Sequence, residues 1–422
     1  MKHRFGIYTD ELWQYICIYL LYLLNDSYLY RTVLMKYNIV ILGVFVFLIF
    51  LHGYGFTWYS LSFLAFSLTY VVVTRLRVGG VGLVAWLQWA VPIMATLYTC
   101  QFDPEKFLER WVRFVVMMAV TSLVFYLAVQ INAEMVRKIL PTRFVSEHVV
   151  TVWGDQAPLV TRAGYGNGML LYSVRAQEID RNNGLFGEPG LYQMVLNSAL
   201  YILLFLKDRL DIDDGKRTSY LYILLATLVT SKSTSGYISA MALIFVYYLL
   251  NNRNEENAIR GRIMGLISIV AVIGLADYLI RGRSSLIYEQ IVAKLFSNGQ
   301  FDLAADTGRW RLMTIATEGI SMLRYPLGIG YDAANGQLIP GSTGAQLFIT
   351  GAALGIIPFI IFQVWTCYPI LKTREIGRLE KMGFLFMYYN SMLTQSKDFY
   401  PAFVIFTIAF SISMSDEHQW AK

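Results

Sequence analysis

The sequence predicts an all-α fold: a polytopic helical bundle in a membrane, one integral domain over residues 1–422 with about twelve spans, and two long loops that carry short amphipathic helices. Three observations predict it. Hydrophobic residues make up 56% of the chain and charged residues only 15%, proportions that exclude a soluble globular domain. The apolar residues fall in long blocks, most of them close to the roughly 20 residues that cross the hydrocarbon core as a helix. The period-two alternation of a membrane barrel is missing.

The blocks place spans at 12–29, 36–51, 57–74, 79–100, 111–131, 191–206, 219–231, 236–250, 263–280, 345–367, 382–395 and 398–414. Orientation follows from Lys and Arg in the connections. Lys2 and Arg4 precede the first span, and Lys106, Arg110, Arg113, Lys207, Arg209, Lys216, Arg217, Arg253, Arg260, Arg262, Lys372, Arg374, Arg378 and Lys381 all fall on the same side. That side is cytoplasmic, which leaves two long extracytoplasmic loops, 132–190 and 281–344, and a short one at Ser231–Ser235. Arg31, Lys36, Arg75 and Arg77 fall outside against the rule, so either the first spans are miscounted or these cations have work to do.

The net charge of +6 is mostly topology and gives no reason to invoke nucleic acid. Cys17, Cys100 and Cys367 sit in or beside spans, which implies no disulfide framework. The first apolar segment follows a basic start without a small-residue cleavage site, and it reads as a retained anchor. Tyr and Trp gather near the ends of the early spans, as amphipathic rings do at headgroup depth. Ionisable residues are almost missing from the predicted hydrocarbon segments, the nearest being Asp277. Ion-coupled carriers need such groups at mid-membrane, so secondary transport is disfavoured.

The most informative stretch is Arg181-Asn182-Asn183-Gly184-Leu185-Phe186-Gly187-Glu188-Pro189, which ends where an apolar helix begins at Leu191. Pro189 suits a first helical turn, and Gly184 and Gly187 permit tight turning just before it. Glu188 is then held at the mouth of the bundle, either as an acidic helix start favoured by the macrodipole or as a working carboxylate. Upstream, the loop opens with an amphipathic stretch, Glu134 to Leu140, and continues through His148, Arg162 and Arg175. Its glycine-rich Gly164–Gly168 reads as a turn. Four histidines lie scattered without ligand spacing, so no metal site is predicted.

Thr230-Ser231-Lys232-Ser233-Thr234-Ser235-Gly236 is a hydroxyl-rich corner with one lysine. It suits sugar hydroxyls or phosphate oxygens, and equally an ordinary polar turn with a snorkelling lysine. In the second loop, Gly308–Arg324 reads as a helix capped by Asp306 or Thr307. Leu312, Met313, Ala316, Ile320 and Leu323 form one stripe with Arg309 at its head, while Arg311 falls with Thr314 and Glu318 on the other face. Packing the stripe inward predicts Arg309 inside and Arg311 in water.

In this order and on this side, Arg181-x-x-Gly184-Leu185-Phe186-x-Glu188-Pro189, Thr230-Ser231-Lys232-Ser233-Thr234-x-Gly236, Arg309-x-Arg311 and Pro326-x-Gly328-x-Gly330 resemble the O-antigen and capsular polysaccharide polymerases of the Wzy type. The likeness covers about 181–367. It implies a glycosyltransferase of the bacterial inner membrane that joins oligosaccharide repeat units carried on undecaprenyl pyrophosphate, using outer-loop arginines. The partners implied are the lipid-linked oligosaccharide, membrane lipid, a chain-length regulator and a flippase, with no cofactor. The related O-antigen ligases often carry a histidine near the helix after the second loop. Here that segment reads Gly341-Ser342-Thr343-Gly344-Ala345-Gln346, which favours polymerase over ligase. An exporter of lipid or polysaccharide is the alternative from another class.

The chemistry points the same way. No nucleotide sugar exists outside the cell, so a polymer built there needs a lipid-linked donor with a pyrophosphate leaving group. Arginine is suited to that anion, each charge-assisted hydrogen bond contributing about 1.5–3 kcal/mol. The expected catalytic residues are Glu188 as base with Arg181 and Arg309 on the pyrophosphate. Lys232, Arg311, Arg175 and Ser233 are expected to bind substrate.

Overall fold

A computed structural model describes residues 2–78, 83–140, 142–150, 160–175, 179–250, 265, 278–282, 285, 296–297, 300–301, 308–330, 346–374, 376–395 and 400–419. Most of them are helical. The first six helices are α1 (Lys2–Leu24), α2 (Tyr28–Thr32), α3 (Asn38–Leu51), α4 (Trp58–Val78), α5 (Leu83–Phe102) and α6 (Pro104–Ile139). After a small sheet come α7 (Pro189–Phe205), α8 (Asp214–Ser231), α9 (Thr234–Leu250) and α10 (Gly308–Arg324). The last four are α11 (Gln346–Leu354), α12 (Ile356–Lys372), α13 (Arg378–Thr394) and α14 (Pro401–Gln419). The span expected at 263–280, with Asp277, lies almost wholly outside the described residues.

Two helical stretches are long and apolar enough to cross a membrane, Leu34–Leu51 and Pro104–Ile139, and several shorter apolar helices accompany them. Much of what the helices turn outward is apolar. Phe47 and Phe50 of α3, Trp58 and Leu76 of α4, Val124 and Ile131 of α6, and Ile360 and Val364 of α12 are all exposed.

At the centre stands α7, apolar on every side and buried at every residue from Pro189 to Leu204. A helix without a polar face has to be enclosed, and α6, α8, α9, α13 and α14 surround it. Its polar side chains are mostly matched, the exception among the described residues being Asn197 Oδ1. Asn197 donates to the Gln193 side chain at 2.8 Å and to the Gly236 carbonyl at 3.3 Å, and Trp111 donates to Ser198 at 3.3 Å.

Three boundaries differ from expectation. The first span stops at Leu24, because Asn25, Asp26 and Ser27 form a turn in which Asp26 takes a left-handed φ of 68°. Helix α6 absorbs the amphipathic stretch at 134–140 and runs to Ile139, kinked at Asn132, whose Oδ1 accepts from the Met135 amide at 3.0 Å. The glycine-rich segment at 164–168 is mostly strand instead of turn. Strand β1 (Arg143–Val150) pairs antiparallel with β2 (Val160–Asn167), and β2 pairs with β3 (Val174–Arg175).

The tenth span is two helices. Gly355, at φ 85°, breaks it between α11 and α12, and the turn at 326–330 fills the break. Ile329 and Gly330 donate to the carbonyls of Ala352 and Ala353 at 3.2 and 3.0 Å, and Ile357 donates to Pro326 at 3.2 Å. The two backbones approach so closely that only glycine fits: a Cβ on Gly355 would lie 2.1 Å from the Gly328 nitrogen, and one on Gly328 would lie 2.1 Å from the Ala353 oxygen. The Pro326-x-Gly328-x-Gly330 motif therefore has a packing reason of its own.

Gly355→Ala should lower the thermal unfolding midpoint in detergent by several degrees, since strain of about 1–3 kcal/mol adds to the clash. Gly43→Ala, where a Cβ meets nothing within 4 Å, should leave the midpoint unchanged or raise it. Equal midpoints for both variants would show that the two backbones are not in contact.

Candidate functional site

The segment 179–188 crosses one end of the bundle as a strap. Asn182 through Gly187 are buried, and the backbone groups find partners on three sides. The Asn182 amide donates to Thr230 at 3.0 Å, and its side chain donates to Thr230 Oγ1 at 3.1 Å and Ser122 at 3.2 Å. The Leu185 carbonyl accepts from Tyr28 at 3.0 Å, and the Gly184 carbonyl accepts from Ser173 at 2.9 Å. Gly184 has φ 57° and lies against the ring of Tyr192, so the turn there requires glycine.

Arg181 stands where the strap meets the α8–α9 corner. One terminal nitrogen donates to the Lys232 carbonyl at 3.0 Å, while its buried Nε has no partner among the described residues. Lys232 caps α8 in a left-handed conformation and pairs with Asp180 at 3.1 Å. Ser233 is buried, and its hydroxyl accepts from the Gly236 amide at 3.3 Å. In this structure it serves the start of α9.

Glu188 occupies the N-cap of α7 in an extended conformation, yet its carboxylate makes no capping bond. Oε2 instead accepts from the side-chain amide of Gln395, just past α13, at 2.8 Å. Gly190 makes that approach possible, because a Cβ there would lie 2.4 Å from the Gln395 nitrogen. Arg175 completes this corner by donating to the Gly187 carbonyl at 2.9 Å.

Arg31 also reaches this corner, and no motif marked it. Asp26 accepts from its Nε at 2.6 Å and from Nη2, and Arg31 lies within electrostatic reach of Glu188. Burial alone would weaken the cation, but the hydrogen bond and charge of Asp26, with Tyr400 and Glu188, more than offset this and raise its pKa. Tyr400 is fully enclosed and donates to the Asn25 carbonyl. The only sequence signal for Arg31 was its departure from the positive-inside pattern. Among the described residues, Arg31 with Asp26 and Arg175 gather around Gly187 and Glu188, while Arg181, Lys232 and Asp180 form the neighbouring α8–α9 corner, four cations to three carboxylates in all.

Helix α10 spans the expected residues but presents the opposite face to the bundle. Ala316, Ile320 and Leu323, expected inside, are exposed, whereas Glu318 and Met322 are buried. Met322 packs on α11 at Gly351, and the Glu318 Oε2 has no partner among the described residues. Burial raises the Glu318 carboxyl pKa. The side chains of Arg309 and Arg311 and the cap at 306–307 lie outside the described residues, as does the segment 341–344. The helical period still relates their positions: 311 lies two turns before Glu318 on the docked face, and 309 two turns before Ala316 on the exposed one.

Compared with family models, with curated proteins and with solved structures, the chain matches none. The resemblance drawn from its motifs therefore rests on those residues and their order alone.

The docked face of α10 reverses the expected ranking of its two arginines. Arg311→Ala should cost more function than Arg309→Ala when both are compared at equal protein level in the membrane. The reverse order would show that α10 sits on its apolar stripe.

Proposed function

We propose that this chain is a multi-pass protein of the bacterial inner membrane that polymerises undecaprenyl-pyrophosphate-linked oligosaccharide repeat units on the outer face. The observation that carries the reading is the placement of Glu188. It is a carboxylate fixed at a helix start yet unused as a cap, held by a neutral amide with the Arg31 cation in electrostatic reach. Its one hydrogen bond runs to Gln395 and not to the first-turn amides, so capping α7 does not account for it.

In the proposed reaction the acceptor sugar hydroxyl gives its proton to Glu188, and its oxygen forms the new bond to the anomeric carbon of the donor. The bond from that carbon to the pyrophosphate oxygen breaks, and the electron pair leaves with the pyrophosphate. Cations already fixed in place stabilise that charge as it develops without reorganising. Arg181 and Lys232 are held at the α8–α9 corner and Arg175 at Gly187, and the reading adds Arg309 and Arg311 from α10. The Gln395 amide orients the carboxylate by donating to one oxygen, which leaves the other to take the proton.

The packing disfavours an exporter. Discontinuous helices in carriers expose backbone carbonyls to their cargo, but at Gly355 the carbonyls of Ala352 and Ala353 are already occupied by the 329–330 amides. The ligase reading gains no separate support.

Purified protein supplied with lipid-linked repeat units should produce a ladder of chain lengths, and no new product would refute the reading. Glu188→Gln should cut the rate of ladder formation by at least about a hundredfold with little change in the unfolding midpoint, because the amide still accepts from Gln395 but cannot take a proton. Near-normal ladders from that variant would remove Glu188 from the chemistry.

A further inference from the structure

The short helix α2, just after α1, holds an arginine that the motif set does not contain. Arg31 reaches the strap from the N-terminal helices, and the way it is held distinguishes it from an ordinary ion pair. Asp26 engages Nε and Nη2. Nη1 makes no hydrogen bond among the described residues, and the side chain keeps about a third of its surface accessible. That unused nitrogen lies against Gly187, where a Cβ would come within 3.2 Å of it, on the residue next to Glu188.

We propose that Arg31 is a further substrate-binding residue of this site, donating through Nη1 to the pyrophosphate of the lipid-linked donor, and that Asp26 is the positioning residue that aims it. The inference rests on the polymerase reading, since that reading supplies the pyrophosphate.

The fixing of the guanidinium is what gives Arg31 its use. A free arginine loses side-chain entropy when it orders around an anion. Here Asp26 has already ordered it, through two parallel bonds that settle the plane of the fork. Asp26 is itself fixed by the left-handed turn at the end of α1, and the neighbouring backbone is stapled to the strap by the bridge between Ser27 and Phe186. The donor that remains therefore lies beside Gly187, the residue before Glu188. Gly187 keeps the approach open, since any side chain there would press on Nη1. Lysine in place of Arg31 would keep the charge and lose this division of labour, because its single ammonium cannot be gripped by Asp26 and still present a fixed donor elsewhere.

A purely structural role would treat the Asp26–Arg31 pair as a staple of the α1–α2 turn. The two roles separate in a binding measurement on full-length protein in lipid nanodiscs, with undecaprenyl pyrophosphate as one probe and undecaprenol, which lacks the phosphates, as the other. Arg31→Gln should weaken binding of undecaprenyl pyrophosphate about tenfold or more and leave undecaprenol binding unchanged. Arg31→Lys should restore only part of the loss, and Asp26→Glu should restore more than Asp26→Asn. Gly187→Ala, which leaves the ion pair intact and crowds only Nη1, should also weaken the pyrophosphate probe selectively, and it keeps the test valid should Arg31→Gln fail to fold. Arg137→Gln, at an exposed ion pair on α6, is the control and should bind both probes as the parent does.

Equal pyrophosphate binding by the parent, Arg31→Gln and Gly187→Ala, while the parent still makes polymer ladders, would overturn the role of Arg31 and leave the polymerase reading in place. A parent that neither binds undecaprenyl pyrophosphate nor makes ladders would overturn both.

Discussion

The constraint on which this architecture depends is the satisfaction of backbone polar groups where the chain crosses the end of an apolar bundle. A buried N–H or C=O without a partner costs as much as a lost hydrogen bond, and more away from water. The strap solves this by borrowing from its neighbours: Thr230 answers Asn182, Tyr28 answers Leu185, Ser173 answers Gly184, and the Arg181 and Arg175 side chains answer Lys232 and Gly187. Each borrowed bond brings another element to the same end. Four connections that are far apart in sequence, after α1, before α7, between α8 and α9 and between α13 and α14, meet there because the strap needs all of them.

That convergence gives the corner its chemistry. Glu188 is carried by α7, which is buried from Pro189 to Leu204, so it cannot move without disturbing the core. Gln395 and Arg31 arrive from opposite ends of the sequence, the first hydrogen-bonded to the carboxylate and the second within electrostatic reach of it. Tyr400 ties the α13–α14 corner back to Asn25, and the Ala402 amide donates to the Asn25 side chain at 2.9 Å. The groups proposed for substrate are thus set by packing and not by flexible loops, as a site that stabilises developing charge requires.

Much of this was legible in the sequence where local chemistry decides the outcome. Pro189 marks the start of α7, the apolar blocks mark most helices, and the Gly308–Arg324 pattern gives the limits of α10. What escaped depends on partners distant in sequence. Asn25-Asp26-Ser27 reads as a tolerable helix interior until the strap is present to pair with it. Gly164 and Gly166 look like turn residues, because glycine is unfavourable in a strand interior; their pairing along β1 decided otherwise, while Gly168, past the strand end, keeps a left-handed φ of 85°. The inverted docking of α10 was set by its partner and not by its own pattern. Met322 seats closely against Gly351 of α11 and Glu318 is buried, with Ile320 and Leu323 left outside. Arg31 carried one signal, a cation on the side where cations are scarce, and its partner could be named only once the fold brought Asp26 and Glu188 beside it.

The most direct test of the central claim, that the strap corner holds the leaving group of a lipid-linked donor, is a cryo-EM structure of the full chain in nanodiscs with undecaprenyl pyrophosphate. The account predicts diphosphate density at the strap end, within hydrogen-bonding distance of Arg31 or Arg181 and beside the Glu188 carboxylate. Diphosphate density at the opposite end, for example in the cavity of about 690 Å³ beside Lys106 and Arg209, with the strap corner empty, would contradict it.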